Sequence, residues 1–225
     1  MDTLRVEFHC HTIFSKDCLT RPEQLVHAAR QKGLGRVIVT DHNNIAGALR
    51  AHQIDPQLII VGEEIMTTRG EILAAFVTEE IPAGLTPQET IRRLREQGAF
   101  ISVSHPFDVM RSGHWDLPDL LDILPLVDAI ETFNSRCMNP DYNLQAQEFA
   151  REHKLSGTVG SDAHTAMELG RSTLTVETFT DADGLRRVVA QGQASVKLSS
   201  PLIHLSSRYA VIVKKMGRMV RHKGP

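Results

Sequence analysis

The chain has 225 residues, a formal net charge of -2, 5% aromatic residues and three cysteines, which suits one α/β barrel burying roughly 70–75% of its unfolded surface. The near-balanced charge excludes a general drive toward nucleic acid or anionic membranes, and the scattered Cys10, Cys18 and Cys137 exclude a disulfide framework or a cysteine metal finger. No apolar run approaches the ~20 residues of a spanning helix and residues 1–5 lead into a strand, not a signal peptide, so a cytoplasmic location is expected.

Strand-like and helix-like segments alternate along the chain. Residues 4–8 read as a strand. Residues 22–32 carry Leu25, Val26 and Ala29 at helical spacing, with Thr20 as a cap, Pro22 in the first turn and Gly33 as the stop. A strand follows at 36–40, then a helix at 43–52 begun by Asn43. Strands are expected at 58–62 and 71–78. Thr86-Pro87-Gln88-Glu89 opens a helix that ends at Gly98. Beyond it come a strand at 100–104, a short helix at 117–124 and a strand at 129–133. A helix at 139–153, a strand at 157–160 and a helix at 181–191 complete the series. This alternation predicts βαβ units, a parallel sheet of about seven strands and a closed or nearly closed barrel. There is no internal repeat and no low-complexity linker.

The last stretch differs in charge. Arg208, Lys214, Lys215, Arg218, Arg221 and Lys223 occur there without an acid, against 19 basic and 27 acidic residues before position 208. Tyr209, Val213, Met216 and Val220 share one helical face. The expected division is a barrel over 1–200 and a basic amphipathic tail over 201–225. That tail either docks on the barrel or contacts a membrane surface or nucleic acid.

The chemistry concentrates at strand ends. His9-Cys10-His11, Thr40-Asp41-His42, Gly62-Glu63-Glu64, Ser104-His105-Pro106 and Ser161-Asp162-Ala163-His164 nearly all follow short β-branched runs. Ligands emerging from the ends of several parallel strands are how an α/β barrel builds an active site. Alternate residues of a strand face one side, so His9 and His11 can share a metal while Cys10 points away, and Asp162 and His164 repeat the device. Imidazole and carboxylate donors suit Zn, Mn or Fe. There are more of them than one tetrahedral ion can use, which implies two or three divalent ions.

His9-x-His11-Thr12 with Ser15-x-Asp17, Thr40-Asp41-His42-Asn43, Gly62-x-Glu64-Ile65, Ser104-His105-Pro106 and Gly160-Ser161-Asp162-x-His164 resemble the PHP (polymerase and histidinol phosphatase) family, in the family's order and over residues 4–170. The resemblance implies a distorted (β/α)7 barrel, similar to a TIM barrel, with a two- or three-metal centre that hydrolyses phosphoesters. It places His9, His11, Glu64 and Asp162 around one metal, bridges Glu64 to a second held also by His105, and gives Asp17, His42 and His164 to a third. Two positions depart from the pattern. Asp17 stands where many relatives have histidine, and Glu71 is the natural replacement for a histidine in the strand after Glu64. Both make the site harder and more anionic.

Substrate contacts are expected from Arg111 and Arg136, whose guanidinium forks suit phosphate oxygens, and from Lys16. His114 lies in a loop near the mouth and is a candidate to protonate the leaving group. Asp41 is placed to orient a ligand imidazole or to cap a helix, and Glu63 to point away from Glu64. His27, His52 and His153 fall in helix patterns as surface or packing residues, and His204 and His222 belong to the tail. The resulting expectation is a metal-dependent hydrolase of a small phosphorylated metabolite or nucleotide. An exonuclease or phosphodiesterase of nucleic-acid ends is the alternative enzyme, and a non-catalytic metal-binding barrel the third reading.

Overall fold

The computed structural model describes residues 2–221, with side chains through residue 216; His222 and Lys223 lie outside the described residues. The elements run β1 (Thr3–Cys10), α1 (Pro22–Gln31), β2 (Arg36–Val39), α2 (Ala46–Ile54), β3 (Ile59–Met66), β4 (Glu71–Ala75), α3 (Pro87–Glu96) and β5 (Phe100–Val103). They continue with α4 (Leu117–Ile123), β6 (Ala129–Asn134), α5 (Pro140–Glu152), β7 (Ser156–Gly160), β8 (Thr173–Glu177), α6 (Ala182–Val188), β9 (Gln193–Ser195) and α7 (Ile203–Arg221).

The strands form one sheet in the order β7-β6-β5-β4-β3-β2-β1-β8-β9. Past the end of β7, Ala163 pairs with Cys10: the His11 amide donates to the Ala163 carbonyl at 2.9 Å and the Ala163 amide to the His9 carbonyl at 3.3 Å. This seam brings the two ends of a seven-strand sheet together as a nearly closed barrel, and β8 and β9 extend outward from β1. The sheet is mixed where a parallel one was expected. The β3–β4 connection is a short hairpin, so β4 runs antiparallel to both neighbours, and β8 and β9 are also antiparallel. The hairpin matters for function, because it returns Glu71 to the same rim that β3 and β5 reach with their last residues.

Two apolar layers hold the barrel. Phe8, Ile38, Ala75, Phe100 and Val159 share a cluster with Leu185 and Val189 of the α6 segment. Arg186 of α6 reaches the Ala99 carbonyl and Asp128, at the starts of β5 and β6, so α6 closes the end opposite the strand termini. Outside the sheet, Ile65, Ile72, Leu94, Ile101, Leu120 and Ile130 are fully buried under α3 to α5. Each such side chain contributes about 1.5–3 kcal/mol by leaving water. The alternation that buries them leaves the rim beyond the strand ends as the place where polar residues accumulate.

Three local details differ from expectation. The α2 helix begins at Ala46, not at Asn43. Asn43 adopts φ 51°, its amide donates to the Glu64 carbonyl at 2.8 Å and its side chain accepts from the Met66 amide at 2.8 Å. Those bonds prolong the pairing of β2 with β3, so no helix can start there. Thr20 does not cap α1; its hydroxyl donates to the His164 carbonyl at 3.3 Å, and Gln24 caps the helix through the Arg21 amide. Among the described side chains of α7, Ala210 is buried while Tyr209 and Met216 face solvent.

Candidate metal centre

Nine ionisable side chains reach one rim of the barrel. β1 supplies His9 and His11, the extension of β2 supplies His42, β3 supplies Glu64 and the start of β4 supplies Glu71. His105 follows β5, Asp162 and His164 follow β7, and Asp17 comes from the loop after β1. Close backbone approach makes room for them. A Cβ on Gly160 would sit 2.5 Å from that of His9, and one on Gly113 would sit 2.0 Å from a Glu71 carboxylate oxygen.

Their ligand atoms converge. His9 Nε2 lies 3.2 Å from Glu64 Oε2 and 3.7 Å from Asp162 Oδ1, and His11 Nε2 lies 3.5 and 3.2 Å from the same two atoms. Ligands held ~2.1 Å from a tetrahedral ion are separated by roughly 3.4 Å. All four atoms are buried without a hydrogen-bond partner. Unpaired buried polar atoms are costly, and such a cluster fits a cation beside it; the ligand atoms of His9, His11 and Glu64 all lie within 4.8 Å of one another. Beside this quartet, His105 Nε2 lies 3.2 Å from Glu64 Oε1 and 3.3 Å from Glu71 Oε2. On the other side, Asp17 sits 3.6 Å from His42 Nε2 and 3.1 Å from His164 Nε2. The structure thus brings together all nine sequence-predicted ligand candidates, Asp17 and Glu71 included.

A second layer aims these groups. Glu131 accepts from His9 Nδ1 at 3.0 Å and from the His105 amide at 2.9 Å. Ser15 contacts His11 Nδ1 at 3.1 Å and donates to Asp41 at 2.5 Å, so Asp41 orients an imidazole through an intervening hydroxyl. Asp41 also accepts from the Thr12 amide at 2.7 Å. His164 Nδ1 donates to the Asp162 carbonyl at 2.9 Å, which leaves Nε2 as the lone-pair nitrogen facing Asp17. Partners of this kind set tautomer and ring orientation in metal sites. Sequence reasoning named Ser15 only within a motif, without a role, and missed Glu131 and Glu7. Glu7 accepts from the Ser161 amide and hydroxyl and from Gly170, tying the end of β7 to β1. The available signal was a lone carboxylate inside each apolar run, Val6-Glu7-Phe8 and Ala129-Ile130-Glu131.

The electrostatics are those of a crowded, dehydrated cluster. Burial pushes the Glu64 and Asp162 carboxyls up, but His9 and His42 around Glu64, and Arg111 and His9 around Asp162, hold both well below the usual carboxylate range. Burial opposes protonation of His9 and His42, and the surrounding carboxylates overcome it, raising both well above the ordinary histidine value. His11 goes the other way, down to about 3, through burial and the neighbouring His164 and His42. Burial and Glu64 raise Glu71.

The proposed substrate contacts separate. Arg111 stays at the cluster: Nη1 donates to Asp162 Oδ2 at 2.6 Å and Nε to Asp108 at 3.1 Å, with the side chain 23% exposed. Arg136 is buried and turned to α7, with Nη2 donating to Ser207 Oγ at 2.9 Å and the Ile203 carbonyl at 3.3 Å, and Nε 3.4 Å from Glu168. His114 is half-buried, its Nδ1 donating to the Arg111 carbonyl at 2.6 Å. Lys16 is exposed and lines a cleft of about 360 Å³ with Phe14, His42, Met66, Glu71 and Lys214. Of the remaining histidines, His27 is exposed, His52 Nδ1 bonds the Ile59 carbonyl and His153 packs on Phe149. Glu63 points away from Glu64, as expected, and accepts from the Ile81 amide at 3.0 Å.

Comparison with known proteins agrees with this geometry. Residues 7–80 match the PHP domain and residues 140–194 the PHP-associated domain. An uncharacterized protein of Methanocaldococcus jannaschii is 36% identical over 172 residues, which cover 75% of this chain and 69% of the relative. Among solved structures, a two-domain protein from Bacteroides vulgatus containing a predicted PHP-like metal-dependent phosphoesterase superposes with a TM-score of 0.72 at 21% identity. That match covers 87% of this chain and 65% of the other, so the chain spans about two thirds of its length. PsfC from Pseudomonas syringae superposes with a TM-score of 0.69 at 18% identity, covering 95% and 100% of the two chains. At those identities the two structures speak for the fold, and the sequence matches carry the kinship: the chain belongs to the PHP family.

Proposed function

We propose that the protein is a metal-dependent phosphoesterase acting on a small phosphorylated metabolite or nucleotide. The observation that carries this reading is the quartet of orphaned, buried donor atoms from His9, His11, Glu64 and Asp162, spaced as ligands of one cation. Glu64, Glu71 and His105 would hold a second ion, and Asp17, His42 and His164 a third, and Zn, Mn or Fe would suit these donors. Divalent ions bound there supply Lewis acidity and make water a nucleophile near neutral pH.

The chain's own residues do the rest. Arg111 is fixed by Asp108 and Asp162 yet reaches the open mouth, so its fork is pre-oriented for phosphoryl oxygens on which charge develops. His114, on the same loop, donates from Nδ1 to the Arg111 carbonyl, which leaves Nε2 as its lone-pair nitrogen, a proton acceptor that can serve the departing oxygen only after taking up a proton itself. Arg136 serves the site indirectly by holding α7 beside it. The cleft of about 360 Å³ lies at the small end of the range for small-molecule sites, which supports a compact substrate over a nucleic-acid end.

The test is a screen of phosphomonoesters, nucleotides and short oligonucleotides with Mn, Zn or Mg, before and after chelation. Chelator-sensitive phosphate release from small substrates is the expected result. Cleavage confined to oligonucleotides would replace the substrate class, and turnover of nothing by metal-loaded protein would refute the reading.

A further inference from the structure

We propose that α7 docks the protein on an anionic lipid bilayer, lying in the interface with its outer face among the headgroups. The face is apolar and outward. Leu202 just before the helix, then Leu205, Tyr209, Ile212 and Met216, are 55–72% exposed. They follow each other at intervals of three and four residues, the spacing of one helical stripe. The opposite face is committed to the barrel. Ala210 is buried, Ser207 accepts from Arg136, and Lys214 Nζ donates to the carbonyls of Ile13 and Ser15. The stripe therefore cannot fold back without releasing those bonds.

Charge selects the occupant. Arg208 and Lys215 are exposed beside the stripe, the sequence adds Arg218, Arg221 and Lys223, and no Asp or Glu occurs after Asp183. A second copy of the chain would bring its own Arg208 and Lys215 against these. A nucleic acid would satisfy the cations and leave five large apolar side chains in water. Anionic headgroups over acyl chains satisfy both. No helix among the described residues is long and apolar enough to cross a membrane, so the helix lies on the surface instead of spanning it. Through Lys214, α7 is joined to the loop carrying exposed Ile13 and Phe14 and the ligand candidate Asp17, which sets the lipid surface beside the mouth of the metal centre.

The experiment is sedimentation of the full chain with vesicles of phosphatidylcholine alone and of phosphatidylcholine mixed with phosphatidylglycerol, at low and high salt. The expected result is binding to the mixed vesicles, weakened by salt. Leu205→Glu with Ile212→Glu should reduce it more than about tenfold. Arg208→Gln with Lys215→Gln should reduce it several-fold, with the far-ultraviolet circular dichroism of both variants unchanged. Absence of vesicle binding by the unmodified chain would overturn the proposal. So would a dimer in light scattering that the Leu205/Ile212 variant disperses without any vesicle binding, or oligonucleotide binding that this variant leaves intact. Phosphoesterase activity is read in none of these arms, so they stand or fall apart from the proposed reaction.

Discussion

Replacing Glu131 with Gln should loosen the first metal position without touching a ligand. The carboxylate accepts from His9 Nδ1 at 3.0 Å through one oxygen and from the His105 amide at 2.9 Å and Asn134 Nδ2 at 3.1 Å through the other. Three donors converge, and a glutamine has a single oxygen to offer them. If that oxygen serves His105, its own NH₂ faces His9 Nδ1, and the imidazole must turn or change tautomer, withdrawing Nε2 from the quartet. If it serves His9, the backbone at His105 loses its partner. Loss of such a supporting carboxylate typically weakens metal affinity by about 10–100-fold, or roughly 1.4–2.7 kcal/mol. Metal titration of the stripped protein measures this directly, and thermal melting of the metal-free variant separates it from unfolding. An affinity within about twofold of the unmodified chain would show that His9 needs no help from Glu131 and would refute the reasoning.

Other outcomes follow from the same geometry. Glu71→Ala should lose one ion and most activity, whereas Glu71→His should keep the ion count and shift preference toward Zn; elemental analysis showing every ion retained in Glu71→Ala would return Glu71 to a structural role. Arg111→Ala should cost about 2–4 kcal/mol of transition-state stabilisation with metal content unchanged, the loss expected for one oxyanion donor, and simultaneous metal loss would show that its work is to position Asp162. Burial raises the Glu63 carboxyl to about 8 from 4.5. Above the unfolded value the folded state binds the extra proton, so stability falls as pH rises from about 4.5 to about 8 and levels off beyond. Glu63→Gln removes that titration, so its stability relative to the unmodified chain should rise across this window, and parallel denaturation curves at pH 5 and pH 8.5 would contradict it.

The site was legible because strand geometry is local. His9 and His11 two residues apart on β1, and a carboxylate or imidazole just past each β-branched run, require no tertiary knowledge to be placed on one rim. Glu71 was legible by position and was placed by the β3–β4 hairpin, although the expected parallel sheet missed the reversal that makes the placement work. Glu131 and Glu7 were not read, since a carboxylate within an apolar strand declares itself buried without naming its partner, which for Glu131 is 122 residues away. Asn43 misled because its favoured use as a helix cap competes with its tolerance of positive φ, and pairing with Glu64 and Met66 decided between them. The tail was read as amphipathic, but only tertiary contacts through Lys214 and Arg136 reveal which face the barrel holds.

The most direct test of the account is the metal content of purified protein expressed in metal-rich medium, measured beside Glu64→Gln. The quartet around Glu64 predicts two or more transition-metal ions per chain in the unmodified protein, fewer in the variant, and phosphoester hydrolysis that disappears on chelation and returns with metal. Less than one ion per chain, or hydrolysis that survives exhaustive chelation, would contradict it.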